Sequence, residues 1–231
     1  MANNNLINNF NIVSINNFLE AKPGNIQNNN LFFKFSVNPN ALSSIYYENN
    51  GIKLQISLFG PCELKKEGQL VIDLKIAPFA IRGRYVDSIQ EKRLSYFLLS
   101  AIEPSIMFNS FAKSCLYVKV MVLEVEHADN FLAKTLVESV TATGLVLTTS
   151  GIKLYDTVVG VLQSFGKGYF CFGILPNLGQ ISMTYSESIT MKNCENELEK
   201  ILDSALKKSS ELSENTRSIL LYYLMENKQN L

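Results

Sequence analysis

The sequence predicts an α+β fold, and three observations carry that prediction. Short apolar strand patterns follow one another before the first helical pattern; helices interrupt the strand runs without one-to-one alternation; and a strands-then-helix order returns in the second half. A doubly wound sheet would alternate strand and helix regularly, which this chain does not. Its 231 residues, 47% of them apolar, suffice to bury a sizeable core as one large domain or two packed halves.

Residues 1–30 are dominated by asparagine, with NNN at 3–5 and again at 28–30. Asparagine packs no core and competes with the backbone for hydrogen bonds, so the composition predicts a loosely ordered extension. Strands are predicted at LFFKFSV (31–37), SIYY (44–47) and GIKLQISLFG (51–60), and the NNG at 49–51 is a hairpin signal. GQLVIDLKIAPFA is a further strand, ended by Pro78. In IQEKRLSYFLLSAIEP, Leu94, Phe97, Leu98 and Ala101 recur at helical spacing, and Pro104 marks the stop. CLYVKVMVLEV (115–125) alternates so that Leu116, Val118, Val120 and Val122 share one face of a half-covered strand.

The second half opens with a predicted helix from about Asp129 to Thr149, closed by Gly151. Strands follow around 157–163, 169–176 and 181–185. Next comes an amphipathic helix carrying Leu198, Ile201, Leu202 and Ala205 on one face, then a separate last helix over 216–226. This divides the chain into an extension (1–30), a folded domain (31–208) and a C-terminal helical extension (209–231).

Lysine plus arginine balance aspartate plus glutamate at 21 each, so no overall field steers the molecule onto nucleic acid or an acidic membrane, and any anion binding is local. Cys62, Cys115, Cys171 and Cys194 are scattered and His127 is the only histidine, which argues against a zinc site or a disulfide framework and fits a reducing compartment. The N-terminus lacks the basic start and apolar core of a signal peptide, and no later run reads as long and apolar enough to span a bilayer, so the expectation is a soluble intracellular protein without a membrane partner.

Cys115 and Cys171 sit in apolar strands, where thiols are inert core, and His127 has no serine or cysteine partner that sequence can place. GKG at 166–168 is too short for a phosphate loop. No independent active site emerges, and no cofactor is called for. APFAIRGR stands out, with Arg82 and Arg84 around Gly83 after an apolar strand, followed by Lys92 and Arg93 at the start of a helix. Two readings stay open: a solvated turn pairing Arg82 and Arg84 with Asp87 or Glu91, or a loop built to touch an anion.

The succession of GIKLQISLFGP, KIAPFAIRGR, SAIEPSI, LYVKVMVLEV, a long helix, SGIKLYDTVVG and FGILPNLGQIS resembles the RNase PH family over about residues 31–208. It looks in particular like the RNase PH-like subunits of the RNA exosome core ring, with LYDTVVG most like the mRNA transport regulator 3 type. The resemblance implies an RNase PH-like (ribosomal protein S5 domain 2-like) fold with two pseudo-repeated halves of mixed sheets and packed helices. It further implies a six-membered ring of RNase PH-like subunits, RNA-binding cap subunits, an associated catalytic ribonuclease, RNA threading the pore, and a place in the nucleus (nucleolus) and cytoplasm. Arg82, Arg84, Lys92 and Arg93 are then the residues that face the pore and contact RNA phosphates without reading bases.

Active family members cleave RNA from its 3′ end with phosphate as nucleophile, which needs an anion site and a carboxylate for metal or proton work. The anion turn at the start of the long helix is glycine-rich in such members. Here LEVEHADNFLAK has no glycine, Glu124, Glu126 and Asp129 would repel phosphate, and Lys134 is the cation nearby. The acidic hairpin after YD has shrunk to VLQSFGKG, and Thr157 to Ser186 contain no aspartate, glutamate or histidine. Asp156 matches the structural YD position and reads as a brace. The expectation is a non-catalytic ring subunit. The alternatives are an active phosphate-dependent 3′–5′ exoribonuclease or a stand-alone RNA-binding or protein-interaction domain.

Overall fold

The computed structural model describes residues 31–63, 68–81, 86–111, 113–126, 130–166, 168–187 and 195–229. The Asn-rich start therefore lies outside the described residues. Strands β1 (Phe32–Phe35), β2 (Ser43–Asn49), β3 (Ile52–Glu63), β4 (Gln69–Ile76) and β5 (Ser114–Val125) form a sheet in the order β1-β2-β3-β5-β4. Its pairs are antiparallel except β4 with β5. A parallel pair needs a crossover, which α1 (Ser88–Ile102) and two 3-10 turns at Glu103–Ser105 and Phe108–Phe111 supply. The predicted alternation holds: Leu54, Ile56 and Leu58 of β3 and Leu116, Val118, Val120 and Val122 of β5 are buried on the inner face. The hairpin predicted at NNG is present, with Asn50 (φ 50°) and Gly51 (φ 73°) both left-handed as a two-residue primed turn requires.

Helix α2 (Phe131–Thr149) follows β5, and then an antiparallel sheet of β6 (Val159–Phe165), β7 (Gly168–Leu175) and β8 (Gln180–Glu187) in sequential order. α2 lies between the two sheets and is buried along nearly its whole circumference, from Phe131 to Leu147. A helix covered on all sides carries no polar stripe. This corrects the expectation that no run is apolar enough to span a bilayer. By length and composition α2 is, and the cause of its apolarity here is burial inside the molecule.

The fit between α2 and β6 is made backbone to backbone. A Cβ on Gly160 would collide with the Val137 carbonyl, and a Cβ on Gly144 would come within 2.6 Å of the Val158 oxygen. Glycine at both points lets strand and helix approach directly. The Gly160 N–H then donates to Thr141 Oγ1 at 3.0 Å, while the Thr141 and Thr143 hydroxyls donate to the carbonyls of Val137 and Ser139 within the helix.

One charge enters this core. Glu138 of α2 is buried and accepts hydrogen bonds from the Tyr47 hydroxyl (2.8 Å) and from the side-chain amides of Asn49 and Asn50 (3.0 Å each). The hairpin asparagines thus do more than turn the chain: they hold the helix to the sheet through a satisfied carboxylate.

α3 (Glu195–Gln229) covers the far face of the second sheet, placing Ile201, Leu202, Ala205, Leu206 and Leu212 against Val161, Phe170, Phe172 and Ile174. It corrects the expectation of two helices. One 35-residue helix runs through the polar KKSSELSEN stretch and across the expected boundary at 208/209. The stretch contains no glycine or proline, and its hydroxyls donate to the helix's own carbonyls, Ser209 to Leu206 and Ser210 to Lys207.

The Tyr47–Glu138 contact makes stability fall at alkaline pH. Burial first, then the Glu138 charge, holds the Tyr47 phenol well above its ordinary value of 10.0. Above that value the unfolded chain releases a proton that the native state keeps. Stability fully present below pH ~10 is therefore lost on further alkalinisation, at up to about 1.4 kcal/mol per pH unit for this proton. Urea unfolding across this range should show a shallower decline for Tyr47→Phe than for the wild type. Equal slopes would mean that the phenol does not titrate with unfolding.

Candidate nucleic-acid interface

Beyond β4 the chain turns tightly at Ala77–Ala80. The Ala80 N–H bonds the Ala77 carbonyl (2.9 Å), and both residues are tied to the end of β5, Ala77 N–H to the Val122 carbonyl and Val125 N–H to the Ala80 carbonyl, each at 2.9 Å. Ala80 and Ile81 are buried, whereas Phe79 at the tip is 74% exposed. Arg82 and Arg84, the first pair of predicted RNA contacts, lie outside the described residues.

The chain re-enters at Val86, and α1 starts after an extended Asp87 that makes no side-chain cap. Glu91 fixes this first turn to the sheet: Oε1 accepts the Ile76 N–H at 2.9 Å and Oε2 meets Lys75 Nζ at 3.0 Å. Ser95 Oγ accepts the Leu74 N–H next to it. Glu91 thus serves as a staple between helix and strand. A pocket of about 180 Å³ is lined by Ile76, Ala77, Pro78, Ile81, Val86, Ser88 and Glu91.

Lys92 and Arg93, the second predicted pair, are both exposed on α1. The Arg93 guanidinium lies 5.5 Å from the Tyr185 ring centre and 5.9 Å from that of Phe97, so it bridges α1 and β8 as well as facing solvent. Phe97 is four residues on along the helix, a partner the spacing could have supplied; Tyr185, 92 positions away in sequence, carries no such signal.

The resemblance would place phosphorolytic chemistry at the start of α2 and at the β6–β7 hairpin. α2 begins after a left-handed Asn130 (φ 56°) that makes no side-chain cap, and Phe131 at its first turn is buried. Glu124 before it pairs with Lys53 at 2.6 Å, and Lys134 is half-buried one turn into the helix. His127 and Asp129 lie outside the described residues. On the other side, β6 and β7 stay paired to Phe165↔Gly168, so only residues 166 and 167 connect them. Gln163 of that hairpin is committed to α3, its amide donating to Ser204 Oγ and its oxygen accepting from Lys208 Nζ, each at 2.9 Å.

Asp156 is the buried carboxylate nearest in sequence to this hairpin. Oδ1 accepts the Thr157 N–H (2.8 Å) and the Asn177 side-chain amide (2.7 Å), and Oδ2 accepts the backbone N–H of Asn177 (2.8 Å) and Leu178 (3.4 Å). It braces the β7–β8 turn against the start of β6. Burial and then the Glu187 charge push the Cys171 thiol up to about 12, so it stays protonated and unreactive. No group of three histidine, cysteine, aspartate or glutamate side chains that could hold a metal occurs among the described residues.

Comparison with known proteins gives a consistent setting. A family model described as the 3′ exoribonuclease family, domain 1 (RNase PH) matches residues 27–153. The chain is 27% identical over 137 residues to the exosome complex component mtr3 of Schizosaccharomyces pombe, covering 56% of this chain and 52% of that protein. It is 28% identical over 148 residues to the human exosome complex component MTR3, covering 55% and 52%. The chain thus spans about half the length of the curated relatives it matches. Among solved structures, rice (Oryza sativa) Rrp46 superposes with a TM-score of 0.67 at 12% identity, covering 88% of this chain and 99% of that one, a likeness of fold.

If Asp156 is a brace, its replacement harms the fold. Asp156→Ala leaves three backbone N–H groups and an amide without their charged acceptor and should cost about 2–3 kcal/mol, read as a lower urea midpoint with an unchanged m-value. A variant as stable as the wild type would remove the structural role.

Proposed function

The chain belongs to the RNase PH family of 3′ exoribonucleases, and we propose that it is a non-catalytic subunit of an RNA exosome core ring, forming part of the path that leads RNA to a ribonuclease elsewhere in the complex. The observation that carries the non-catalytic reading is the β6–β7 hairpin. It closes through residues 166 and 167, and from Thr157 to Ser186 the chain offers no carboxylate or imidazole to hold a metal or assist a leaving group. The start of α2 supports the same reading, since Glu124 and Glu126 precede it and no glycine lets the backbone wrap an anion.

The exosome membership of the two relatives supports placement in such a complex. In this reading the partners are other RNase PH-like subunits in a six-membered ring, RNA-binding cap subunits, an associated catalytic ribonuclease and RNA itself, in the nucleus, nucleolus and cytoplasm. Arg82, Arg84, Lys92 and Arg93 contribute sequence-independent phosphate contacts along the RNA path.

The test of inertness is direct. The purified chain, incubated with end-labelled single-stranded RNA, inorganic phosphate and magnesium, should leave the RNA at full length and release no nucleoside diphosphate. Phosphate-dependent shortening by the pure protein would overturn the reading and restore the active exoribonuclease.

A further inference from the structure

We infer that the outer face of α1 is a base-stacking site for single-stranded RNA, in which Tyr96 takes a base while Lys92 and Arg93 take the adjoining phosphates. The inference rests on the RNA-path reading above and extends it from backbone charge to the bases themselves.

Four residues of α1 point away from the core at positions i, i+3, i+4 and i+7: Ile89 (70% exposed), Lys92, Arg93 and Tyr96 (66% exposed). Leu94, Leu98, Ala101 and Ile102 occupy the buried side. A tyrosine and an isoleucine so exposed on one helix face form an apolar surface that the fold itself leaves uncovered. The same face is positive. The one carboxylate within α1, Glu91, is turned to Lys75 and the Ile76 N–H, and neither Lys92 nor Arg93 forms an ion pair among the described residues.

The tyrosine is also held in place. Its ring meets Phe97 edge-on with centres 5.9 Å apart, and Phe97 in turn packs on Tyr185 at 4.9 Å. Arg93 lies over both of those rings. Arg93, Phe97 and Tyr185 form a floor that joins α1 to β8 and supports Tyr96 from one edge. A ring positioned in advance loses little freedom when something stacks on it. Lysine is depleted at the centre of protein–protein contacts, whereas an aromatic side chain interleaved with cations suits single-stranded nucleic acid, whose bases stack while its phosphates pair with charge. Helix neighbours three and four residues apart are about 5–6 Å from each other, close enough for one nucleotide to meet Tyr96 and Lys92 together. Phe79 is a further exposed ring at the tip of the turn whose Pro78 lines one pocket with Ser88 and Glu91.

The chain contains no tryptophan, so Tyr96→Trp installs a single reporter that preserves stacking. The full-length variant is titrated with fluorescently labelled oligo(A) and with an abasic oligonucleotide of equal length, following probe anisotropy and tryptophan emission. The expected result is quenching by oligo(A) alone. Tyr96→Ala should weaken oligo(A) binding about tenfold or more with an unchanged salt slope and unchanged thermal melting. Lys92→Ala should lower the log–log salt slope by about 0.7 for either probe. Unquenched tryptophan at saturating oligo(A), equal affinity for both probes, or no detectable binding would overturn the site. So would an emission change produced by related subunits in place of RNA, which would make this face a protein contact. Because the assay needs no ring, failure of the chain to assemble would count against the proposed function and leave this result standing.

Discussion

The structure depends on one constraint: α2 must be enclosed by two sheets at once. Enclosure from both sides leaves little room for long polar side chains, so the helix is built mostly of small and apolar residues. At Gly144 and Gly160 it demands the absence of a side chain altogether, because backbone meets backbone there. Several of the polar groups that remain are answered locally, while the Thr135 and Ser139 hydroxyls are buried without a hydrogen-bond partner. Thr141 and Thr143 return to their own helix, and Glu138 is answered by Tyr47, Asn49 and Asn50. Once α2 is seated, β6 is seated through the Gly160–Thr141 bond, and with it β7, β8 and the face that α3 covers.

The same arrangement accounts for what the carboxylates do. Glu91 joins α1 to β4, Glu138 joins α2 to the β2–β3 hairpin, and Asp156 joins the start of β6 to the β7–β8 turn. Each accepts from backbone or buried donors and so holds two elements together. None stands beside a second acid within a cleft, as paired general acid and base work would require. The cations behave differently. Lys92 and Arg93 stay on the surface of α1, so this helix offers local charge to an external anion within a chain of zero net charge.

The strands were legible because their outer faces meet solvent. Alternation in β3, β4 and β5, and the NNG turn, are local consequences of a half-covered sheet. The β6–β7 hairpin was legible from composition instead, as an absence of acid from Thr157 to Ser186, since α2 and α3 cover both faces of its sheet. Three features were not. α2 is covered on all sides, so its pattern has no polar stripe to compare with a membrane span. α3 runs through a polar stretch that reads as a break in sequence, but only part of it faces solvent: Ser209 is buried with its hydroxyl on the Leu206 carbonyl, Lys208 bonds Gln163 and Leu212 packs on the second sheet. Tyr47–Glu138 and Arg93–Tyr185 join residues 91 and 92 positions apart, and no periodicity in one segment can announce a partner in another.

The proposed function makes this chain one part of a larger complex. Native mass spectrometry of the complex purified through this chain from its own cells tests that most directly. The account predicts one copy of the chain with five other RNase PH-like chains in a closed ring, carrying additional cap subunits and a separate ribonuclease. A ring made of this chain alone, or the chain by itself with phosphate-dependent RNA-shortening activity, would contradict it.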